Sequence, residues 1–141
     1  MQPKILAVDD DPDILDALTM ILESKGYRTA TARDGIEALA KLKAEKPDLM
    51  ILDLLMPKMD GFAVYKELQD PKWSELKNIP ILILTSVRED SGRRRYELET
   101  GIELDADDYL EKPFPPETLL QRVEKIIKKS KRSNPSRQPY I

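Results

Sequence analysis

Three short apolar runs constrain this chain more than any other feature: residues 4–8 (KILAV), 48–52 (DLMIL) and 80–84 (PILIL). Each is bounded by charged or turn-forming residues, and within each the apolar side chains follow one another without alternation. A strand built this way is apolar on both faces, as in a parallel sheet covered by helices on either side. Residues 27–31 (YRTAT) and 106–110 (ADDYL) are weaker strand candidates.

Helical spacing fills the intervals. Ile14, Leu15, Leu18, Ile21 and Leu22 recur on one face, with Asp11 as N-cap, Pro12 at the first helical position and Gly26 suited to a left-handed exit. Asp34 and Glu37 form a capping arrangement ahead of Leu39 and Leu42, and Leu119, Leu120, Val123, Ile126 and Ile127 mark the buried face of a last helix. Further helices are expected around 62–69 and 91–101. Strand and helix thus alternate five times, which predicts an α/β fold: a doubly wound, five-stranded parallel sheet with five helices. Its flavodoxin-like strand order would be 2-1-3-4-5, which puts ligands at the carboxyl ends of the strands.

The chain has 141 residues, room for one domain, and its 40% hydrophobic share is enough to fold without staples. It contains neither Cys nor His, which excludes disulfides, thiolate zinc sites, His-ligated metals and imidazole acid–base catalysis. Chemistry must run on carboxylates, hydroxyls, amines and a bound cation. No apolar run approaches the roughly 18 residues of a membrane span, and the N-terminus enters its first strand without a signal-type stretch. A cytoplasmic protein without a membrane partner is therefore expected. Lys125, Lys128, Lys129, Lys131, Arg132 and Arg137 make the end of the chain basic. A solvated helix end with a frayed tail accounts for them, and nucleic acid is not the expected partner.

Asp9 and Asp10 follow the first strand, and Asp53 follows the third. In the predicted order those strands are neighbours, so three carboxylates converge. Mutual repulsion in partly buried surroundings is relieved by a hard cation or by a raised pKa, and Mg²⁺ suits an oxygen donor set of this kind. Taken alone, Asp9 to Asp11 would equally serve as a helix cap. Asp53 has no such use, and a lone acid after Leu-Met-Ile-Leu does nothing for packing. Thr85 ends the fourth strand and Lys112 follows the fifth. Separately they read as a strand-end residue and a surface lysine; together with the acids they complete an oxyanion site.

Val8-Asp9-Asp10, the segment Asp53 to Gly61 (DLLMPKMDG), Leu84-Thr85-Ser86 and the segment Ala106 to Phe114 (ADDYLEKPF) resemble, in order, the four site segments of the response regulator receiver family. The resemblance runs from residue 4 to about 129. It implies Asp53 as phosphoacceptor; Asp9, Asp10, Asp53 and the backbone carbonyl of Leu55 as ligands of Mg²⁺, with Mn²⁺ able to substitute; and Thr85 and Lys112 as phosphoryl-binding groups. It also implies Tyr109 as a switch aromatic that follows Thr85 inward, and a cis peptide between Lys112 and Pro113. Gly61 would serve a backbone turn after the acceptor loop, and small Ser86 would leave room for the phosphodonor. Leu55 and Val87 occupy the positions that tune dephosphorylation; both are apolar here, so slow self-dephosphorylation is expected.

The expected function is that of a single-domain receiver. A histidine kinase or histidine phosphotransfer protein donates to Asp53, and the switched face acts on a separate protein output partner. It is not expected to be a turnover enzyme. Residues 1–129 would form the receiver and 130–141 a basic, flexible tail, or the chain is cut from a longer protein. The rivals are an unphosphorylated protein-binding module of the same fold and a Mg²⁺-dependent phosphohydrolase with an aspartyl nucleophile. The connections over 69–78, with Trp73, and 86–105, with Arg93 to Arg95, are longer than the family pattern, and Asp105 stands where the family often has Gly.

Overall fold

Asp11, Asp34 and Asp60 each stand one residue before a helix. Each turns its carboxylate onto an amide of the first turn, at Asp13, Glu37 and Ala63 respectively, satisfying donors that have no partner within the helix. A computed structural model describes residues 2–76, 78–86 and 106–133. The capped helices are α1 (Pro12–Glu23), α2 (Gly35–Glu45) and α3 (Gly61–Leu68). The last helix, α4, runs over Pro116–Ser133. A single turn of 3-10 helix covers Pro71–Trp73. The helix expected over 91–101 falls outside the described residues, which hold four α-helices where five were expected of the whole chain.

The strands are β1 (Lys4–Val8), β2 (Arg28–Ala32), β3 (Leu49–Asp53), β4 (Ile81–Thr85) and β5 (Asp108–Glu111). They form one parallel sheet in the order β2-β1-β3-β4-β5, as the alternating pattern predicts. β1 has the expected bounds; the others begin one or two residues later than the sequence suggests. The reason is local. Asp48 spends its carboxylate on the amide of Lys4, Pro80 has no amide to contribute to a ladder, and Asp107 accepts the Ile81 amide with its side chain. The shift matters at the other end, because it makes Asp53 and Thr85 the last residues of their strands.

Alternation of side chains across the pleat divides the core into two layers. Ile5, Ala7, Leu49, Ile51, Leu82 and Leu84 meet Leu15, Leu18 and Leu22 of α1 and Leu119, Val123, Ile126 and Ile127 of α4. Leu6, Val8, Met50, Leu52 and Ile83 meet Ala38 and Leu42 of α2 and Phe62, Val64 and Leu68 of α3. Burying each such leucine or isoleucine contributes about 1.5–3 kcal/mol. The long connection after α3 is seated by Trp73, which is buried in this second layer. Its indole N–H donates to Glu67 at 2.8 Å, and the Lys43 ammonium stands 4.7 Å from the ring centroid. Among the described residues, no helix is long and apolar enough to cross a membrane.

Candidate functional site

The carboxyl ends of β1 and β3 lie side by side, with Val8 opposite Leu52. The next residue of each strand is an aspartate, and both are withdrawn from solvent: Asp9 and Asp53 are each 1% exposed, whereas Asp10 is exposed. One carboxylate oxygen from each of Asp9, Asp10 and Asp53 lies within 4.8 Å of the others. From the far side of the sheet comes Lys112, one residue past β5. Its ammonium donates to Asp9 Oδ2 and to Asp53 Oδ1, both at 3.1 Å. Its own amide donates to the Thr85 carbonyl at 2.7 Å, which fixes the start of the Lys112 side chain against the end of β4. The Lys112–Pro113 peptide bond is cis.

Asp9 also accepts the amide of Asp11 at 3.0 Å through Oδ1, so the carboxylate is aimed by the turn into α1. Burial nevertheless dominates and raises its pKa above the ordinary carboxylate value; the Asp11 amide and the Lys112 ammonium pull the other way without overcoming it. When ionised, three carboxylates against one ammonium leave two negative charges in a partly buried cleft. A hard dication with oxygen ligands is the natural complement of such a donor set. Of the sequence-predicted residues, Asp9, Asp10, Asp53 and Lys112 are brought together outright. Thr85 is buried at the same sheet edge, Leu55 and Tyr109 are half-buried nearby in chain and sheet, and Val87 lies outside the described residues.

Two features were not foreseen from the sequence. Gly61 was assigned to a turn, yet it does not have the positive φ that such a role requires. It is the first residue of α3 and is needed for space: a Cβ there would stand 2.5 Å from the Asp53 carbonyl oxygen and 2.9 Å from Leu54 Cα. Arg122 of α4 was not singled out at all. It donates to Asp108 Oδ1 at 3.0 Å and to the Tyr109 carbonyl at 2.9 Å, tying the edge strand to the helix behind it. Its only signal in the sequence is a long cation among the apolar positions of the last helix.

A family model described as the response regulator receiver domain matches residues 5–124. Among curated proteins, the chain is 43% identical over 136 residues to the alkaline phosphatase synthesis transcriptional regulatory protein PhoP of Bacillus subtilis, covering 96% of this chain and 53% of that one. It thus spans about half the length of the curated relatives it matches. Among solved structures, the chemotaxis protein CheY4 of Vibrio cholerae is 36% identical with a TM-score of 0.74, over 89% of this chain and 99% of that one. The signal receiver domain of a signal transduction histidine kinase from Syntrophus aciditrophicus is 35% identical with a TM-score of 0.76, over 94% of this chain and 95% of that one.

Proposed function

The chain belongs to the response regulator receiver domain family of two-component signalling, and from that premise we propose that Asp53 is its phosphoacceptor. The observation that carries the reading is the position of Lys112, whose ammonium is 3.1 Å from both Asp53 Oδ1 and Asp9 Oδ2, two carboxylates with almost no access to water. A surface lysine has no reason to be there, and a structural ion pair would need one acid, not a cluster of three.

Asp9, Asp10, Asp53 and the carbonyl of Leu55 are the groups that would hold Mg²⁺, or Mn²⁺ in its place. When bound, the cation neutralises charge on the transferring phosphoryl oxygens. The Asp53 carboxylate oxygen attacks phosphorus in line; the P–N bond to the donor histidine breaks as the P–O bond forms, and the imidazole leaves carrying the electron pair. Lys112 moves its hydrogen bond from the carboxylate to a phosphoryl oxygen, and the Thr85 hydroxyl donates to another. Tyr109 follows Thr85 inward, changing the surface beside β5. The donor is a histidine kinase or histidine phosphotransfer protein in the cytoplasm, and the output is a separate protein partner. Residues 1–129 act as the receiver; of the 130–141 stretch expected as a basic tail, 130–133 continue α4 and the rest lies outside the described residues. The chain binds and transfers one phosphoryl group and is a switch, not a turnover enzyme. The Bacillus relative carries about twice this length and is named a transcriptional regulator; contact of this chain with nucleic acid is not part of the proposal.

The test is intact mass after incubation with Mg²⁺ and acetyl phosphate. The expected result is a gain of one phosphoryl group, about 80 Da, dependent on the cation and absent from Asp53→Asn. An unchanged mass would overturn the reading in favour of an unphosphorylated binding module. An unchanged mass with steady phosphate release would favour a phosphohydrolase.

A further inference from the structure

Glycine in the first turn of a helix is a poorer choice than alanine unless something forbids a side chain. At Gly35, the first residue of α2, the backbone is not in the left-handed region, so conformation is not the reason. The obstacle is the acceptor loop. The Gly35 amide donates to the Met59 carbonyl at 2.7 Å. A Cβ on Gly35 would stand 2.6 Å from that same oxygen, 2.7 Å from Met59 Cγ and 2.8 Å from Val64 Cγ2. These separations are far inside van der Waals contact, and the nearest atom is backbone, which cannot rotate away.

Met59 is close to the far end of a short suspended segment. At its near end, the Leu54 carbonyl accepts the Gly61 amide at 2.9 Å. Between these anchors lie Leu55, Met56, Pro57 with its fixed φ, and Lys58, held at a φ of 65°. The Met59 amide donates to the Pro57 carbonyl at 2.8 Å, and the Lys58 ammonium reaches Asp34, the cap of α2, at 4.0 Å. Displacing Met59 therefore displaces a stiff stretch of backbone that begins two residues after Asp53.

We propose that Gly35 is a positioning residue for the phosphoacceptor site: by having no side chain it lets the first turn of α2 close on Met59, which sets where the Leu55 carbonyl is presented beside Asp53. This rests on the reading of Asp53 and its cation given above. Gly35 touches neither; it acts through Met59.

The experiment compares wild-type protein with Gly35→Ala by intact mass during acetyl phosphate treatment across a Mg²⁺ titration, alongside thermal melts without the cation. Misplacement of a ligand by a fraction of an ångström should raise the half-saturating Mg²⁺ about tenfold, while the melt shows a folded protein. A folded Gly35→Ala with the wild-type half-saturation overturns the inference and leaves the phosphoacceptor reading intact. No adduct on wild-type protein overturns both. Should Gly35→Ala not fold, the wild-type amide resonance of Gly35 decides. A shift on adding Mg²⁺, with the same midpoint as the resonances around Asp53, supports the coupling; no shift overturns it.

Discussion

The carbonyl oxygen of Asp53 packs against the α-carbon of Gly61 so closely that a methyl group added there would sit 2.5 Å from it. The end of β3 and the start of α3 are thus in direct backbone contact, held also by the hydrogen bond from the Gly61 amide to Leu54.

Gly61→Ala should therefore destabilise the fold by about 1–3 kcal/mol through overpacking. Urea denaturation should show a lower midpoint with an unchanged slope, since the unfolded chain gains nothing new to expose. Phosphoryl uptake should fall with it, because the main chain that moves is that of Asp53 itself.

The raised pKa of Asp9 gives the site a pH signature. Burial makes the folded protein bind this proton more tightly than the unfolded chain does. The protonation linkage thus favours the fold below the ordinary carboxylate range, and that contribution is lost as pH rises through the raised pKa. Above that raised pKa, ionised Asp9 is a cost to the cation-free protein, so Asp9→Asn should there melt at a higher temperature than wild type without Mg²⁺. Wild type should gain about 2.7 kcal/mol with Mg²⁺ at a hundredfold its Kd. That gain should shrink as pH falls through the Asp9 range and should be largely absent from Asp9→Asn. Differential scanning fluorimetry across pH, with and without Mg²⁺, reads each of these outcomes.

Leu55 follows Asp53, the proposed acceptor, by two residues and is half-buried. An apolar side chain there cannot orient an attacking water, so the acyl phosphate should be long-lived. Leu55→Asn or Leu55→Glu should speed its loss about tenfold or more, followed by the decay of the phosphorylated mass after the donor is removed. An unchanged lifetime would show that access to the site is controlled elsewhere.

Trp73 sits ahead of β4, at the end of the sheet opposite the aspartates. Trp73→Ala should cost about 3–5 kcal/mol by opening a cavity between α2 and α3. Phosphoryl uptake by the fraction that remains folded should be unchanged. Glu67→Gln, which keeps the indole acceptor but drops the charge facing Lys72, should leave the midpoint almost unchanged, as loss of an exposed ion pair does. Chemical denaturation of both variants separates core burial from surface charge.

What could be read from the sequence followed physical distinctness. The runs ending at Val8, Leu52 and Leu84 have no other use than burial, and an acid or hydroxyl placed directly after them was conspicuous for that reason. Strand starts were misjudged at Asp48, Pro80 and Ala106, because the side chains of Asp48 and Asp107 and the missing amide of Pro80 replace ladder bonds that apolar patterning cannot reveal. Gly35 and Gly61 were harder still. A glycine records that something approaches closely but not what: the Met59 carbonyl that meets Gly35 lies far along the chain, and the Asp53 carbonyl that meets Gly61 is main chain, which a pattern of side chains does not show. The lengthened 69–78 connection was visible as extra length, while the seat it provides for Trp73 depends on Glu67 and Lys43, which only the fold brings to the same ring.

Arg122 holds the carbonyl of Tyr109 while the Tyr109 amide is engaged by Asp108 Oδ1. The main chain at this edge is consequently clamped from both peptide groups. Any reorientation of the Tyr109 ring must then proceed as torsion about its side-chain bonds on a stationary pivot. Torsion of that kind differs from the rearrangement of packed elements, which moves backbone. On the role proposed for Tyr109, the edge would report on the aspartate cleft as a change in rotamer occupancy, with no strand required to slide.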